Sequence, residues 1–290
     1  MIPAQFDYVR PAAMHEALQI LVDREGDAKI LSGGYSLLPL LKLRLAAPAL
    51  LVDIRDIDGL DDIVETTDGL RIGGRATHRQ IHENPVVAGY PMLVDAAGGI
   101  GDPQVRNWGT IGGSCAHADP SSDWPAVLLA TNATIVLQSA AGTRTVPARG
   151  FFVDTFQTAI EPTELLTEVI IPRAPRPSGA AYAKLERRAG DFATVGVAAQ
   201  ISLGTDGRIA AAGIGLTAVA EAPFAATAAE ASLVGSEPNE AAFQAAGIAA
   251  AAESRPGTDS HGPAEYKRAM VKEMVVRALR SAAGRAQAQR

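Results

Sequence analysis

An α+β fold in two unequal parts is what this chain predicts, and three observations predict it. Strand and helix signals alternate from the N-terminus to about Gln138. A proline-rich linker follows, with Pro172, Pro175 and Pro177 lying between Ile171 and Gly179. Beyond the linker, a hairpin pattern gives way to an alanine-rich helical remainder.

The elements follow in order. Met14, Ala17, Leu18 and Leu21 fall at helical spacing behind Pro11, a residue tolerated in a first helical turn. Ala28 to Leu31 is a short β-like run. It leads into Ser32-Gly33-Gly34-Tyr35-Ser36, the apolar run Leu37 to Leu45, and a strand over Leu50 to Ile54. From about residue 61 the pattern repeats, with a strand at Leu70-Arg71-Ile72 and helices near Arg75 to His82 and Met92 to Ala97. A second glycine turn, Gly109-Thr110-Ile111-Gly112-Gly113, precedes a helix near Trp124 to Ala130 and a strand over Ala133 to Gln138. After the linker, Val195 to Leu203 and Arg208 to Leu216 flank Gly204-Thr205-Asp206-Gly207 as a hairpin. Ala222 to Ala288 is mostly helical, interrupted by the loop Ser254 to Gly262.

Bulk properties narrow the function. With 290 residues, 47% of them hydrophobic and 20% charged, the chain can build a substantial core. Its net charge of −6 and the lack of a basic block argue against nucleic acid as a partner. The N-terminal stretch does not read as a signal peptide, and no uncharged apolar run reaches the length of a membrane span. A cytoplasmic chain is expected. The single cysteine, Cys115, excludes an internal disulfide, a Cys-ligated iron–sulfur cluster and a Cys-rich zinc site. A redox role must therefore use a bound organic cofactor, or a metal held by histidines and carboxylates.

The glycine pairs Gly33-Gly34 and Gly112-Gly113 are the chemically suggestive features. Adjacent glycines let successive N–H groups point into one concavity, and a helix starting just beyond adds its positive end. Ser36 and Thr110 can add hydroxyls, and two such cradles facing each other suit a pyrophosphate. Glycine pairs also mark ordinary tight turns. Neither pair fits the Rossmann or Walker fingerprint. Other constellations are weaker. His78 and His82 are spaced as ligands on one helix face, but no third ligand is evident and no metal site is assigned. Asp123 suits either a helix N-cap or a ligand contact. Lys184, Arg187 and Arg188 cluster near Asp191. The serines Ser36, Ser121 and Ser122 have no partner histidine and acid at recognisable offsets, and Cys115 reads as a buried small residue. No catalytic acid or base is assigned.

The chain resembles a known family at this point. Ile30-Leu-Ser-Gly-Gly-Tyr-Ser-Leu-Leu-Pro-Leu-Leu-Lys-Leu-Arg44 and Ile100-Gly-Asp-Pro-Gln-Val-Arg-Asn-Trp-Gly-Thr-Ile-Gly-Gly-Ser114 are similar to the two FAD-pyrophosphate loops of molybdenum hydroxylase flavoprotein subunits. Ala116-His-Ala-Asp-Pro-Ser-Ser-Asp-Trp-Pro125, Glu164-Leu-Leu-Thr-Glu-Val-Ile-Ile-Pro172 and Tyr182-Ala-Lys-Leu-Glu-Arg-Arg188 continue the likeness, which runs from Phe6 to about Leu279. The nearest shape is the medium subunit of aerobic carbon monoxide dehydrogenases; the xanthine dehydrogenase flavin domain is more distantly similar.

The resemblance implies a two-subdomain FAD-binding fold of the vanillyl-alcohol-oxidase-like type over residues 1–175, with subdomains of about 1–57 and 58–175. A C-terminal domain over 179–285 would carry a three-stranded antiparallel sheet and helices. Carried over by motif, Lys29, Ile30, Leu31, Ser32, Gly33, Gly34, Tyr35, Ser36 and Leu37 would hold the pyrophosphate together with Thr110, Ile111, Gly112, Gly113 and Ser114, mainly through backbone N–H groups. Thr77 and His78 fall in the segment that approaches the flavin, and Gly101 lies in the second loop. Asp123 matches an acid binding ribityl or adenosine-side hydroxyls. Leu166 matches a packing residue, Lys184 a cation near the isoalloxazine carbonyl edge, and Phe192 an aromatic bordering the ring. Tyr35 stands where relatives usually have His or Gln, and Trp108 where Arg or Met is common.

Partners are implied too: a large subunit with the molybdenum cofactor and a small subunit with 2Fe–2S clusters, together a dimer of heterotrimers. Substrate would be oxidised in the large subunit and electrons passed through the clusters to this FAD, then to an external acceptor. Carbon monoxide, an aldehyde and an N-heterocycle all suit as substrates, and NAD, quinone, cytochrome and oxygen as acceptors. A free-standing flavin oxidoreductase with its own small-molecule substrate is the competing reading.

Overall fold

The computed structural model describes residues 2–289. Among the described residues, three larger sheets lie in chain order, each facing helices, beside one two-stranded sheet. The first is small and parallel, in the order β1-β3-β2, from β1 (Asp7–Val9), β2 (Ala28–Leu31) and β3 (Leu50–Asp53). Helix α1 (Met14–Asp23) buries Ala17, Leu18 and Leu21, the residues at helical spacing in the sequence, with Leu50, Val52, Ile54 and Ile57. The short helix α2 (Leu37–Lys42) connects β2 to β3.

The second unit opens with β4 (Ile63–Glu65), β5 (Gly69–Gly73) and the helices α3 (His78–Glu83), α4 (Pro91–Gly99), α5 (Pro103–Trp108), α6 (Ile111–His117) and α7 (Asp123–Ala130). It closes with β6 (Thr134–Ser139), β7 (Gly142–Pro147), a small hairpin of β8 (Phe152–Asp154) and β9 (Gln157–Thr158), and β10 (Leu165–Pro172). The sheet is antiparallel in the order β4-β5-β10-β6-β7, so the last strand inserts at its centre. Burial at Leu165, Leu166, Val169 and Ile171 follows from that position.

After the linker come β11 (Ser178–Leu185), β12 (Val195–Leu203), β13 (Ile209–Thr217) and the two-residue β14 (Phe224–Ala225). The expected three-stranded sheet has a fourth, short strand along β13. Helices α8 (Thr227–Leu233), α9 (Glu240–Glu253) and α10 (Ala264–Gln287) cover one face. On the other side sits α7, whose eight residues are all buried. Its approach is close enough that a Cβ on Gly213 or Gly215 would collide with the carbonyl oxygens of Ala130 and Ala126. That seam positions Asp123, the first residue of α7, beneath the C-terminal sheet. Among the described residues, no helix is long and apolar enough to cross a membrane.

Candidate functional site

The two glycine turns meet. Ser32 Oγ and Thr110 Oγ1, 78 residues apart in sequence, lie 3.0 Å from each other. A Cβ on Gly33 would strike the carbonyl oxygen of Trp108, so only glycine permits this approach of main chain to main chain. Gly34 has φ +84, a left-handed conformation that turns the chain from β2 into α2.

Their backbone donors differ sharply. Among the described residues, the N–H groups of Ser32, Gly33, Gly34, Tyr35, Ser36 and Leu37 donate to no protein acceptor. Main-chain donors away from water are nearly always paired, and five of these six residues are half-buried, with Tyr35 exposed, so a consecutive row of free donors is suited to an anion. The second turn is spent on the protein itself. Ile111 N–H donates to Ala76 O, Gly112 N–H to Gly74 O, Gly113 N–H to Thr110 Oγ1 and Ser114 N–H to Thr110 O. Gly112 also packs on the Gly74 backbone, where a Cβ would not fit. The main-chain N–H groups of the second turn are thus paired within the protein while those of the first are not; the second turn presents the Thr110 and Ser114 hydroxyls, and Gly112 serves close packing.

A chain of polar groups leads away from the cradle. Ser114 Oγ is 2.6 Å from Ser122 Oγ, next to Asp123. Asp123 is no N-cap; Ser122 occupies that position, and the carboxylate turns towards β11. Tyr182 Oη donates to Asp123 Oδ1 at 2.5 Å, and Lys184 Nζ donates to Asp123 Oδ2 at 3.2 Å. Lys184 Nζ also donates to Gly99 O at 3.2 Å and lies 3.5 Å from Glu186 Oε2. Burial pushes the Asp123 carboxyl above the usual carboxylate range, while Lys184 and the Tyr182 hydroxyl pull it back. The basic cluster read from sequence thus separates. Lys184 turns inward, and Arg187 turns to the carbonyl of Ser260.

The remaining residues form the frame. Thr77 caps α3 in a reciprocal exchange with Gln80 and pairs with Thr110 across an isolated bridge. His78 is 4% exposed and lies beneath the second turn, its N–H donating to Gly109 O. Its Nδ1 accepts from Trp124 Nε1 at 3.0 Å, and burial, reinforced by Arg106, lowers its pKa to about 3. It is a neutral prop for the turn. His82 instead contacts Val94 O, and among the described residues no group of His, Cys, Asp and Glu is arranged to hold a metal. Gly101 O accepts from Arg106 and abuts Gly190, which joins the turn at 99–102 to the loop bearing Phe192. Lys29 is exposed on β2, Ile30 half-buried and Leu31 buried against the first sheet. Leu166 is buried on β10, its carbonyl against Gly74. Tyr35, Trp108 and Phe192 are 41%, 53% and 52% exposed, and the Arg55 guanidinium lies 5.8 Å from the Trp108 ring. Three large aromatics left in water at these loops are surfaces that a bound group can cover.

This donor set fits FAD. A row of free N–H groups suits a pyrophosphate, a buried carboxylate suits sugar hydroxyls, and exposed aromatics suit a flat ring. The model of the FAD binding domain in molybdopterin dehydrogenase matches residues 4–174, and that of the CO dehydrogenase flavoprotein C-terminal domain matches residues 180–282. The chain belongs to the FAD-binding medium subunits of molybdenum hydroxylases. It is 41% identical to the carbon monoxide dehydrogenase medium chain of Hydrogenophaga pseudoflava, over 97% of this chain and 98% of that one. It is 38% identical to the 6-hydroxypseudooxynicotine dehydrogenase complex subunit alpha of Paenarthrobacter nicotinovorans, over 99% and 97%. The solved carbon monoxide dehydrogenase from Hydrogenophaga pseudoflava that lacks the Mo-pyranopterin moiety superposes with a TM-score of 0.95 at 43% identity, covering 98% of this chain and 99% of that one. As a medium subunit, the chain is the flavin-carrying electron-transfer part of an oxidoreductase. The free-standing flavoenzyme gains no support from these relatives.

Sequence reasoning gave no site role to Tyr182, Ser122 or Arg106. Tyr182 had a signal: residues two apart on a strand share a face, so it had to lie beside Lys184.

Proposed function

We propose that FAD is held along the run of groups from the Ser32–Leu37 cradle, past Thr110 and Ser114, to Asp123 and Lys184. The observation that carries this reading is the row of six unpaired N–H groups at residues 32–37. These donors would hold the pyrophosphate oxygens, with the Ser36 and Thr110 hydroxyls beside them. Asp123 would accept from sugar or ribityl hydroxyls. Lys184 places a positive charge in a buried setting, where charge acts more strongly than in water. Tyr35, Trp108 and Phe192 would exclude water, and Lys29, Ile30, Leu31, Thr77, His78, Gly101, Ile111, Gly112, Gly113 and Leu166 complete the frame. Bound FAD supplies a redox centre that exchanges electrons singly or in pairs. The division into residues 1–175, with subdomains meeting near residue 57, and 179–285 belongs to the same proposal.

The chain works in the cytoplasm beside a large molybdenum-cofactor subunit and a small subunit carrying 2Fe–2S clusters, as a dimer of heterotrimers. Electrons reach it from those clusters and leave to an external acceptor. Relatives named for carbon monoxide and for 6-hydroxypseudooxynicotine share this chain's full length, which supports a substrate chosen outside it. The test is purification of the chain from its native source, with flavin, iron and molybdenum analysis. Co-purification of two partners with FAD and both metals is expected. A yellow, metal-free protein that turns over a small molecule alone would overturn the proposal.

A further inference from the structure

Residues 182, 184 and 186 share one face at the end of β11, and that face meets the first turn of α7. Lys184 belongs to the cofactor reading above; Tyr182 does not. The tyrosine is 9% exposed, and among the described residues its hydroxyl has one partner, Asp123 Oδ1. Its backbone is fixed independently. Tyr182 N–H donates to Asp95 Oδ2 at 3.3 Å, and Asp95 is in turn held by Arg285 of α10. The ring therefore has little freedom, and its hydroxyl fixes the direction of a carboxylate that, among the described residues, has one other side-chain partner, Lys184.

We infer that Tyr182 is a positioning residue for FAD: it holds Asp123 ionised and aimed, so that the carboxylate can accept the cofactor's hydroxyls. The inference rests on the proposal that Asp123 contacts FAD. Its physical basis is the cost of burying a carboxylate. An ionised Asp123 in this seam needs hydrogen bonds to both oxygens, and the structure supplies one from Tyr182 and one from Lys184. The ionisable groups acting on Asp123 are Lys184, Tyr182 and Glu186, all from β11 or its end. Glu186 opposes ionisation; among the described residues its Oε2 has no hydrogen-bond partner, and it lies 3.5 Å from the same Lys184 Nζ. Of the charges on neighbouring elements, Asp95 of α4 is neutralised by Arg285, and His78 of α3 is neutral under the Trp124 indole. On α6, burial lowers the His117 pKa against the pull of Asp119, and burial raises that of the Cys115 thiol. Removing the Tyr182 hydroxyl leaves Lys184 alone to support the charge, so Asp123 takes up a proton at a higher pH.

The experiment is FAD titration of the flavin-stripped full chain across pH 4.5 to 8, with FAD itself as probe and thermal unfolding as a control for folding. Tyr182→Phe keeps the ring and its packing. It should weaken FAD binding by about tenfold, in line with one charge-assisted hydrogen bond. It should also move the acid limb of the binding profile to higher pH. Incorporation of 3-fluorotyrosine at position 182, whose phenol is the stronger donor, should move that limb to lower pH. Asp123→Asn should weaken binding and flatten the limb, and Tyr182→Phe added to it should change nothing further. If Asp123→Asn acts this way but neither tyrosine change moves the limb, Tyr182 only packs and the inference is wrong. If Asp123→Asn binds FAD like the parent, the contact between Asp123 and the cofactor is wrong instead.

Discussion

His78 illustrates how one buried side chain ties the site to pH. Its folded pKa of about 3 lies below the ordinary 6.5, so the unfolded chain binds a proton that the folded chain refuses. The stability that depends on a neutral His78 is complete above pH 6.5 and is lost as pH falls through the window towards 3. Between pH 7 and pH 5 the loss amounts to about 2 kcal/mol. His78→Asn keeps an acceptor for Trp124 and cannot titrate. Its baseline stability should be lower, but urea unfolding at the two pH values should show a loss smaller than the parent's by about that amount. Equal losses would mean that His78 is not the titrating group. His78 stands out in the sequence; its role does not, because a histidine facing a flavin and one propping the turn beneath it share the same local pattern. Asp123 has the same ambiguity. Whether it caps α7 or turns away depends on Tyr182 and Lys184, 59 and 61 residues further on.

At the scale of elements, legibility follows locality. β2 and the β12–β13 hairpin read correctly because apolar alternation and turn residues fix them within a few positions. Helix α3 starts later than its apolar pattern suggests, since Thr77 caps it at His78. Helix α5 went unread although Asp102 and Pro103 are a cap and a first-turn proline, and the Asp102 side chain does accept from Val105 N–H. The order of strands, with β10 at the centre of its sheet, is set by contacts far apart in sequence that no local pattern encodes. The seam between α7 and β13 is of this kind and gives a contrast within one substitution type. Gly215→Ala would drive a methyl into the Ala126 carbonyl and should cost about 1–3 kcal/mol or more. Gly284→Ala, on exposed α10 surface with open space at its Cβ, should gain about 0.5–1 kcal/mol. Thermal denaturation of the two variants should move in opposite directions; a Gly215→Ala variant as stable as the parent would contradict the seam.

The molecule as a whole brings three sheets to bear on the one proposed cofactor site. The first sheet supplies the cradle at the end of β2, and the second supplies the hydroxyl turn and Asp123. The third supplies Tyr182, Lys184 and Phe192. Contacts between units keep these contributions in register. Arg285 of α10 pairs with Asp95 of α4, and Arg149 pairs with Glu230 of α8. Such pairs are partly exposed, so register depends more on the buried α7 seam than on them. The paired glycine turns, legible from sequence as a motif, became chemically unequal only when their main-chain partners were known. That inequality is open to direct measurement by amide hydrogen exchange on the flavin-free chain, before and after adding FAD. The amides of residues 32–37 should exchange fast without FAD and become strongly protected with it. Those of residues 111–114, already bonded within the protein, should be slow in both states. Protection by FAD at 111–114 with none at 32–37 would contradict the cradle.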